Sequence, residues 1–488
     1  MSETKPETPT AGEPNRPAAT PDAAGRLGTE PVGRLLLRFS IPAITGMLVN
    51  ALYSVVDRIF IGQAVGEMAL GGLSLVMPLM TISLAFAMFF GIGTANMISM
   101  RLGQGRKQDA ENALAHCFFL LLGTGILMTV LGVVFLEPIL SVLGAPEGSE
   151  ALGYARGYFR VILYASVFGL LAFGLSHCTR AQGFPIITMI ALLIGAILNI
   201  IFDAIFILVL DWGVAGAGWA TVLAQGVSMV WILRFCMGRK AVVRLNLKTF
   251  KPSMAIVTQI MSFGSAHFLL HITMAGVQLL YNMSMGWYGV AALGVANGGD
   301  IALSGQNIIG VVQMLILMPI FGINQGAQPL LGYNYGAKRF DRVLRTYRLA
   351  VTAATVVCTV GFAATMLFPV QLVRMFVSEG DTTLMYFAPR AMRIMFLMLP
   401  AAGFMIISTT FFVVTGRPKI SIVLSMLRQC LILVPSILVF GRAWGLWGVI
   451  VAAPVSDMLT LFITGVMIFF ELRKLKSRAV LSREALIE

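Results

Sequence analysis

Long apolar runs, rather than short alternating ones, organise this chain. Twelve stretches of roughly 20 residues or more carry few charges. They fall at about 35–61, 69–99, 113–136, 158–180, 185–210, 214–237, 255–285, 291–331, 347–374, 384–415, 419–442 and 445–470. A run of that length is what a helix needs to cross about 30 Å of hydrocarbon. In lipid, a helix satisfies its own backbone hydrogen bonds without water. We therefore expect an all-α membrane protein with twelve transmembrane helices. The eighth run is too long for one straight span. Either Pro319 and Gly322 bend it, or its first part makes a hairpin.

The polar segments between the runs divide by charge. Arg101, Arg106 and Lys107 share one loop, and Arg239, Lys240, Arg244, Lys248 and Lys251 share the central one. Lys338, Arg339, Arg342 and Arg345 follow, then Arg417 and Lys419, then Arg473, Lys474, Lys476 and Arg478. The alternate loops are short and carry Glu147, Glu150, Glu379 and Asp381. By the positive-inside rule both termini are expected on the cytoplasmic face of a cell membrane, the bacterial inner membrane in particular. Residues 1–34, rich in Pro, Thr, Glu and Ala without a signal-peptide core, read as a disordered cytoplasmic tail.

The two halves resemble each other. Residues 66–71 (Gly-Glu-Met-Ala-Leu-Gly) recur as 289–294 (Gly-Val-Ala-Ala-Leu-Gly). Gly91-Ile92, then Gly105 and Lys107, recur as Gly322-Ile323, then Gly336 and Lys338. Gly183-Phe184-Pro185 recurs as Gly416-Arg417-Pro418, and Trp212-Gly213 as Trp444-Gly445. The offset is about 223 early and about 231–233 later, as one insertion in the eighth run would produce. Six spans per half set both halves the same way up. The expected architecture is two pseudo-symmetric six-helix bundles around a central cleft, residues 35–240 and 255–472. Residues 241–254 would link them, and 473–488 would be a basic tail.

Composition agrees with lipid as solvent: 58% of the residues are hydrophobic and only 12% charged, against about 25% charged in soluble domains. The formal charge of +13 is spread over the loops and forms no continuous face, so nucleic acid is not an expected partner. The five cysteines are scattered and lack metal-ligand spacing. No organic cofactor is expected.

Three motifs carry a family resemblance. The first span reads Ile41-Pro42 and then Leu52-Tyr53-Ser54-Val55-Val56-Asp57-Arg58-Ile59-Phe60-Ile61-Gly62. The fifth reads Gly195-Ala196-Ile197-Leu198-Asn199-Ile200-Ile201-Phe202-Asp203, with Gly216-Ala217-Gly218-Trp219-Ala220-Thr221 beyond. The eighth ends Gly326-Ala327-Gln328-Pro329-Leu330-Leu331-Gly332-Tyr333-Asn334-Tyr335-Gly336-Ala337. From about Leu35 to Phe470 the chain resembles the multidrug and toxic compound extrusion (MATE) family, most of all its MepA-like branch. The resemblance implies export of cationic or amphiphilic compounds, driven by a gradient of H⁺ or Na⁺. It implies a coupling centre at Asp57, Asn199 and Asp203, supported by Thr221. Ser176 stands where the family often has a fourth-span Asn. Acids that another branch carries in the seventh and tenth spans are absent from these runs, so no cation site is expected in the second half.

The chemistry of the residues leads to the same place. A carboxylate inside a span is costly and faces a cavity or a partner. Asp57, Asp203 and Thr221 each lie about five to eight residues from the outer ends of their spans, hence at similar depth. Asn199 precedes Asp203 by one helical turn and shares its face. Two carboxyls at one depth can share a proton, because adjacent like charges in a dry setting disfavour double ionisation. With the amide and hydroxyl they can equally offer Na⁺ hard oxygen ligands. The sequence does not choose between these tasks.

Other intramembrane polar residues have simpler readings. Arg428 and Asp457 are expected to pair between neighbouring helices. His267 and His271 share a helix face, without the acid that a metal site would want. Gln278 and Gln313, with Asp300 and with Tyr281 as the repeat counterpart of Asp57, are the candidates for lining a substrate cavity. The leading expectation is a monomeric secondary antiporter, not an enzyme, working by alternating access on drugs, dyes or metabolites. The rival is a flippase for lipid-linked precursors, which would want a basic cavity. An intramembrane aspartyl protease would need Gly-x-Gly-Asp, and the nearest run is Asn297-Gly298-Gly299-Asp300.

Overall fold

A computed structural model describes residues 23–64, 67–142, 150–295, 297–377 and 382–484. Its helices are α1 (Ala23–Thr29), α2 (Val32–Ala64), α3 (Glu67–Gly103), α4 (Lys107–Val134), α5 (Leu136–Val142), α6 (Glu150–Ala181), α7 (Pro185–Asp203) and α8 (Gly213–Met237). The second half holds α9 (Met254–Leu293), α10 (Gly298–Gly336), α11 (Phe340–Leu367), α12 (Pro369–Arg374), α13 (Thr382–Met395), α14 (Leu399–Val414), α15 (Pro418–Met426) and α16 (Val434–Glu484). Two wide π-helical turns, Ala204–Val209 and Leu427–Leu433, continue α7 and α15.

Ten helical segments are long and apolar enough to cross a membrane. α13 and α14, bent by 48° at a short break, make an eleventh crossing. The twelfth lies within residues 418–480, where Gly445 adopts φ 59°, ψ −136° and the chain folds back. The hairpin is fixed by pairs on either side of it. Arg417 bonds Glu471, and Arg428 bonds Asp457. The long eighth run resolves as a hairpin, not a bend. α9 ends at Leu293, and α10 runs on through Pro319. There Gly289 and Gly298 abut so closely that a Cβ on either would meet the other's carbonyl oxygen at 2.7 or 2.5 Å.

The recurring Gly-x-Pro turns have one physical cause. Gly183 and Gly416 take φ of 103° and 81°, where a side chain would be strained. The next residue is held extended by the proline after it, at φ −117° and −121°. Pro185 and Pro418 then open α7 and α15 at a position that needs no N–H.

Packing divides the helices into two lobes, α2–α8 and α9–α16. The first has cores around Leu114, Cys178 and Val243 and around Ile61, Tyr158 and Ala217. The second has one large core that includes Phe387, Phe411 and Ile450. The stretch expected as a linker is docked on the first lobe: Gln182 accepts the Val243 N–H at 2.9 Å, and His116 Nε2 accepts that of Ser253 at 2.9 Å. Two expected boundaries shift. Of the tail assigned to residues 1–34, residues 1–22 lie outside the described residues, while α1 and the start of α2 are packed helix, with Leu27 in the second core. The C-terminal basic segment continues α16 as far as Glu484.

The lobes cross where glycines admit backbone. A Cβ on Gly93 would lie 2.3 Å from Ile260 O, and on Gly326 it would lie 2.5 Å from Ser40 Oγ. Gly264 meets Phe89, as Gly322 meets Ile44; Gly103 meets Tyr333, as Gly336 meets Met100. Each pair repeats the other under exchange of lobes, which fixes the repeat register. Gly103 matches Gly336, and Gly105 matches Lys338, both with left-handed φ (75° and 57°). The sequence pairing of Gly105 with Gly336 was thus two residues out. In the first and seventh spans, Ser40 matches Ile260 and Ile44 matches Gly264, so continuing the register sets Asp57 opposite Val277, not Tyr281. All these contacts use the half of each helix nearest the basic loops, and Asn96 and Gln328 join there at 2.6 Å. α2 and α9 do not pack along their length. The lobes therefore meet at the basic end and enclose a cleft that widens toward the other.

Candidate functional site

The acidic centre lies in the first lobe, in the half of the molecule away from the basic loops. α2 supplies Asp57, half-buried, and α7 ends on Asp203, which is fully buried. The π-helical turn that follows Asp203 is a feature frequent at functional positions. The two carboxyls face each other within hydrogen-bonding reach. Asn199, one turn back from Asp203, donates from Nδ2 to Thr221 Oγ1 on α8 at 3.3 Å. The Tyr158 hydroxyl of α6 also bonds Thr221 and stands close to Asp57, Asp203 and Tyr53. Four helices thus converge on one cluster.

The cluster is short of donors. Both carboxyl oxygens of Asp203 and the Asn199 Oδ1 are buried without an N–H or O–H bonded to them. Such oxygens are costly in a dry interior unless a proton or cation joins them. The group is chemically suited to a proton shared between the carboxyls, or to a hard cation held by carboxylate and amide oxygens. Among the described residues no cluster of three or more His, Cys, Asp or Glu forms a metal site, so any cation here would lean on neutral oxygens too.

Beside the cluster, toward the basic end, is a cavity of about 120 Å³ enclosed by α2, α6, α7 and α8. Its polar wall is Asn50, Tyr53, Ser176, Asn199, Gln225 and Ser228. Ser176 is on that wall, but its hydroxyl donates to Ala172 O at 2.7 Å, apart from the carboxyls. The structure therefore brings together Asp57, Asn199, Asp203 and Thr221 and sets Ser176 further along the same cavity.

The substrate-cavity candidates scatter. Tyr281 is buried in the second core, where its hydroxyl donates to Val449 O at 3.2 Å, so it does not line the cavity. Gln278 is exposed on α9 and donates to Asn282 Oδ1 at 2.9 Å. Gln313 is half-buried on α10, and Asp300 is exposed in its first turn, at the end of the molecule. Arg428 and Asp457 meet at 2.7 Å, and Ser456 bonds the Arg428 carbonyl at 2.8 Å. Sequence reasoning missed Tyr158 and Tyr53. Tyr53 precedes Asp57 by one turn, which was a usable signal; Tyr158 opens the fourth run among ordinary apolar residues, and only the fold points it at Thr221.

Comparison with known proteins follows the same lines. A model of the MatE family matches residues 42–205 and 271–438, once in each lobe. Multidrug export protein MepA of Staphylococcus aureus (strain MSSA476) is 26% identical over 460 residues, 94% of this chain and 97% of that protein. The protein of the same name from Staphylococcus haemolyticus (strain JCSC1435) is 24% identical over 455 residues, 93% of this chain and 96% of its own. A solved outward-facing conformation of a multidrug resistance MATE family transporter of the MOP superfamily shares the fold. It has a TM-score of 0.85 over 95% of this chain and all of its own, at 24% identity. Matched by the family model in both of its lobes, the chain belongs to the MatE family of membrane transporters.

Proposed function

We propose that this transporter is a secondary antiporter that exports small cationic or amphiphilic organic compounds in exchange for H⁺ or Na⁺. The observation that carries the reading is the buried Asp57–Asp203 pair, with donor-poor oxygens, beside a cavity in one lobe only. Relatives that span nearly the whole chain are named multidrug export proteins. The chain acts as a monomer in the cell membrane, with the basic loops and both termini on the cytoplasmic side, as the charge pattern requires. The cleft then opens outward in this structure.

The pair supplies the coupling. Carrying a proton or Na⁺, it is neutral enough to be enclosed by α2, α6, α7 and α8. Losing it leaves two negative charges side by side, which a cationic cargo or a fresh ion must offset before the lobes can change places. Cargo and ion thus compete for one negative site, which is the requirement for exchange.

The test is dye efflux from proteoliposomes under an imposed proton or Na⁺ gradient, comparing the native chain with Asp57→Asn and Asp203→Asn. Gradient-driven efflux should fall to the level of empty vesicles in both variants while their melting temperatures stay native. Undiminished efflux in either variant would remove the pair from the mechanism.

A further inference from the structure

The start of the chain's first span belongs to the wrong lobe. α2 carries Asp57 into the first lobe, yet its opening residues Leu35, Leu36 and Phe39 are part of the second lobe's core. So is Leu27, at the end of α1, which is 1% exposed. The short segment from Gly25 to Pro31 lies across the junction of the lobes at the basic end.

Side chains of the second lobe hold this segment by its backbone. Arg342 Nη2 donates to Leu27 O at 3.1 Å and to Glu30 O at 2.6 Å. Asn334 Nδ2 donates to Leu27 O at 3.1 Å, and Arg342 Nε donates in turn to Asn334 Oδ1 at 3.0 Å. Arg339 Nη1 bonds Gly28 O. Two guanidiniums therefore take up carbonyls that the end of α1 leaves open, the arrangement in which a cation at a helix C-terminus is favoured. Space is used up as well: a Cβ on Gly28 would meet the Tyr333 ring at 3.0 Å and Arg339 Nη1 at 3.1 Å. Tyr333 is the residue whose carbonyl oxygen blocks Gly103 of the first lobe. The strap is thus docked on the same turn of α10 that seals the two lobes together.

We propose that residues 25–31 are a latch between the lobes. Docked in the Asn334–Arg339–Arg342 cradle, the latch ties the first span to the second lobe and holds the basic end closed; opening that end requires its release. This rests on the alternating-access reading above, because a cleft that never opened at the basic end would need no latch. Arg339 and Arg342 act here as positioning residues, away from ion and cargo.

The experiment reads conformation, without cargo or gradient, so a silent efflux assay would leave it intact. Spin labels go on Gln104→Cys and Arg345→Cys, exposed residues of the first and second lobes at the basic end, in a chain whose native cysteines are replaced. A second pair, Thr29→Cys with Arg345→Cys, follows the latch itself. Arg342→Ala removes three of the hydrogen bonds, and Gly28→Leu wedges the strap out while leaving the cradle intact. Both should shift the ratio of long to short inter-lobe distances by about tenfold or more. In the native chain, whatever fraction shows the long inter-lobe distance should also show the long latch distance. Two results would overturn the proposal. One is an unchanged inter-lobe distribution in both variants, each eluting and melting as native. The other is a latch that stays at its short distance in molecules open at the basic end.

Discussion

Gly264→Ala should pry the lobes apart at their closed end. The added Cβ would sit 1.8 Å from Phe89 O and 2.7 Å from Phe89 C. Ordinary contact is about 3.5 Å, so α3 and α9 would have to separate by about 1.5 Å. The obstacle is backbone and cannot swing aside. Overpacking of this kind costs about 1–3 kcal/mol, charged almost wholly to the closed arrangement, because the contact exists only there. The closed-to-open ratio should then fall by about 5- to 150-fold. Ser99→Cys reports it, since Ser99 is fully buried at the crossing and only a parted interface exposes a thiol there. Maleimide labelling of Ser99→Cys, with the native cysteines replaced, should accelerate in proportion when Gly264→Ala is added. Gly276→Ala on the same helix is the control: nothing lies within 4 Å of its Cβ, so labelling should not change. Equal labelling rates for Gly264→Ala and its parent would refute the idea that backbone contact through these glycines closes the lobes.

Two further outcomes concern stability, read as melting temperature in detergent. Arg428→Met and Asp457→Leu should each destabilise by about 1–3 kcal/mol. That is below the cost for a fully buried pair, because Arg428 and Asp457 keep 29% and 17% of their side chains exposed. The double variant should recover most of the loss, and an additive loss would mean that the pair is not coupled. Gly183→Ala, at φ 103°, should cost about 1–2 kcal/mol, whereas Gly226→Ala, helical and with nothing within 4 Å, should be neutral or slightly stabilising.

Much of this was legible in the sequence because lipid makes demands that pattern alone can reveal. Apolar length marks each span, and the Gly-x-Pro turns and basic loops mark the ends. The acidic centre was legible too, since Asp57 and Asp203 are rare charges in apolar runs at one depth. What escaped notice depends on which face a helix turns inward. The counterpart of Asp57 was misplaced because Tyr281 fits an offset counted from loop glycines. The crossing contacts at Ser40 and Ile260 set the true register through Val277. Tyr158 was missed because an aromatic residue at a span's outer end ordinarily anchors at the interface. The docked segment at Leu27 was hidden by its neighbours: a helix of seven residues amid Ala and Gly gives no periodicity to read, and its stability comes from Arg339 and Arg342, more than 300 residues away in sequence.

The two lobes answer the same structural demand with different chemistry, and that difference locates the ion. Both have a π-helical turn in the helix that packs beside the last span of the lobe. In the second lobe that turn carries Arg428, and Asp457 across the hairpin neutralises it, with Ser456 completing the carbonyl. Val277 stands where the register calls for an acid, and nearby Tyr281 satisfies its own hydroxyl on Val449. That lobe is electrically complete as it stands. In the first lobe the corresponding helices set Asp57 against Asp203, and the hydroxyls of Thr221 and Tyr158 are spent on each other and on Asn199. Two carboxyls and an amide oxygen are left to be satisfied by something that is not part of the chain. A pseudo-symmetric scaffold can exchange inward and outward forms with nearly equal ease, so the direction of transport must come from an asymmetric load. The donor-poor centre of the first lobe is where such a load would be taken up.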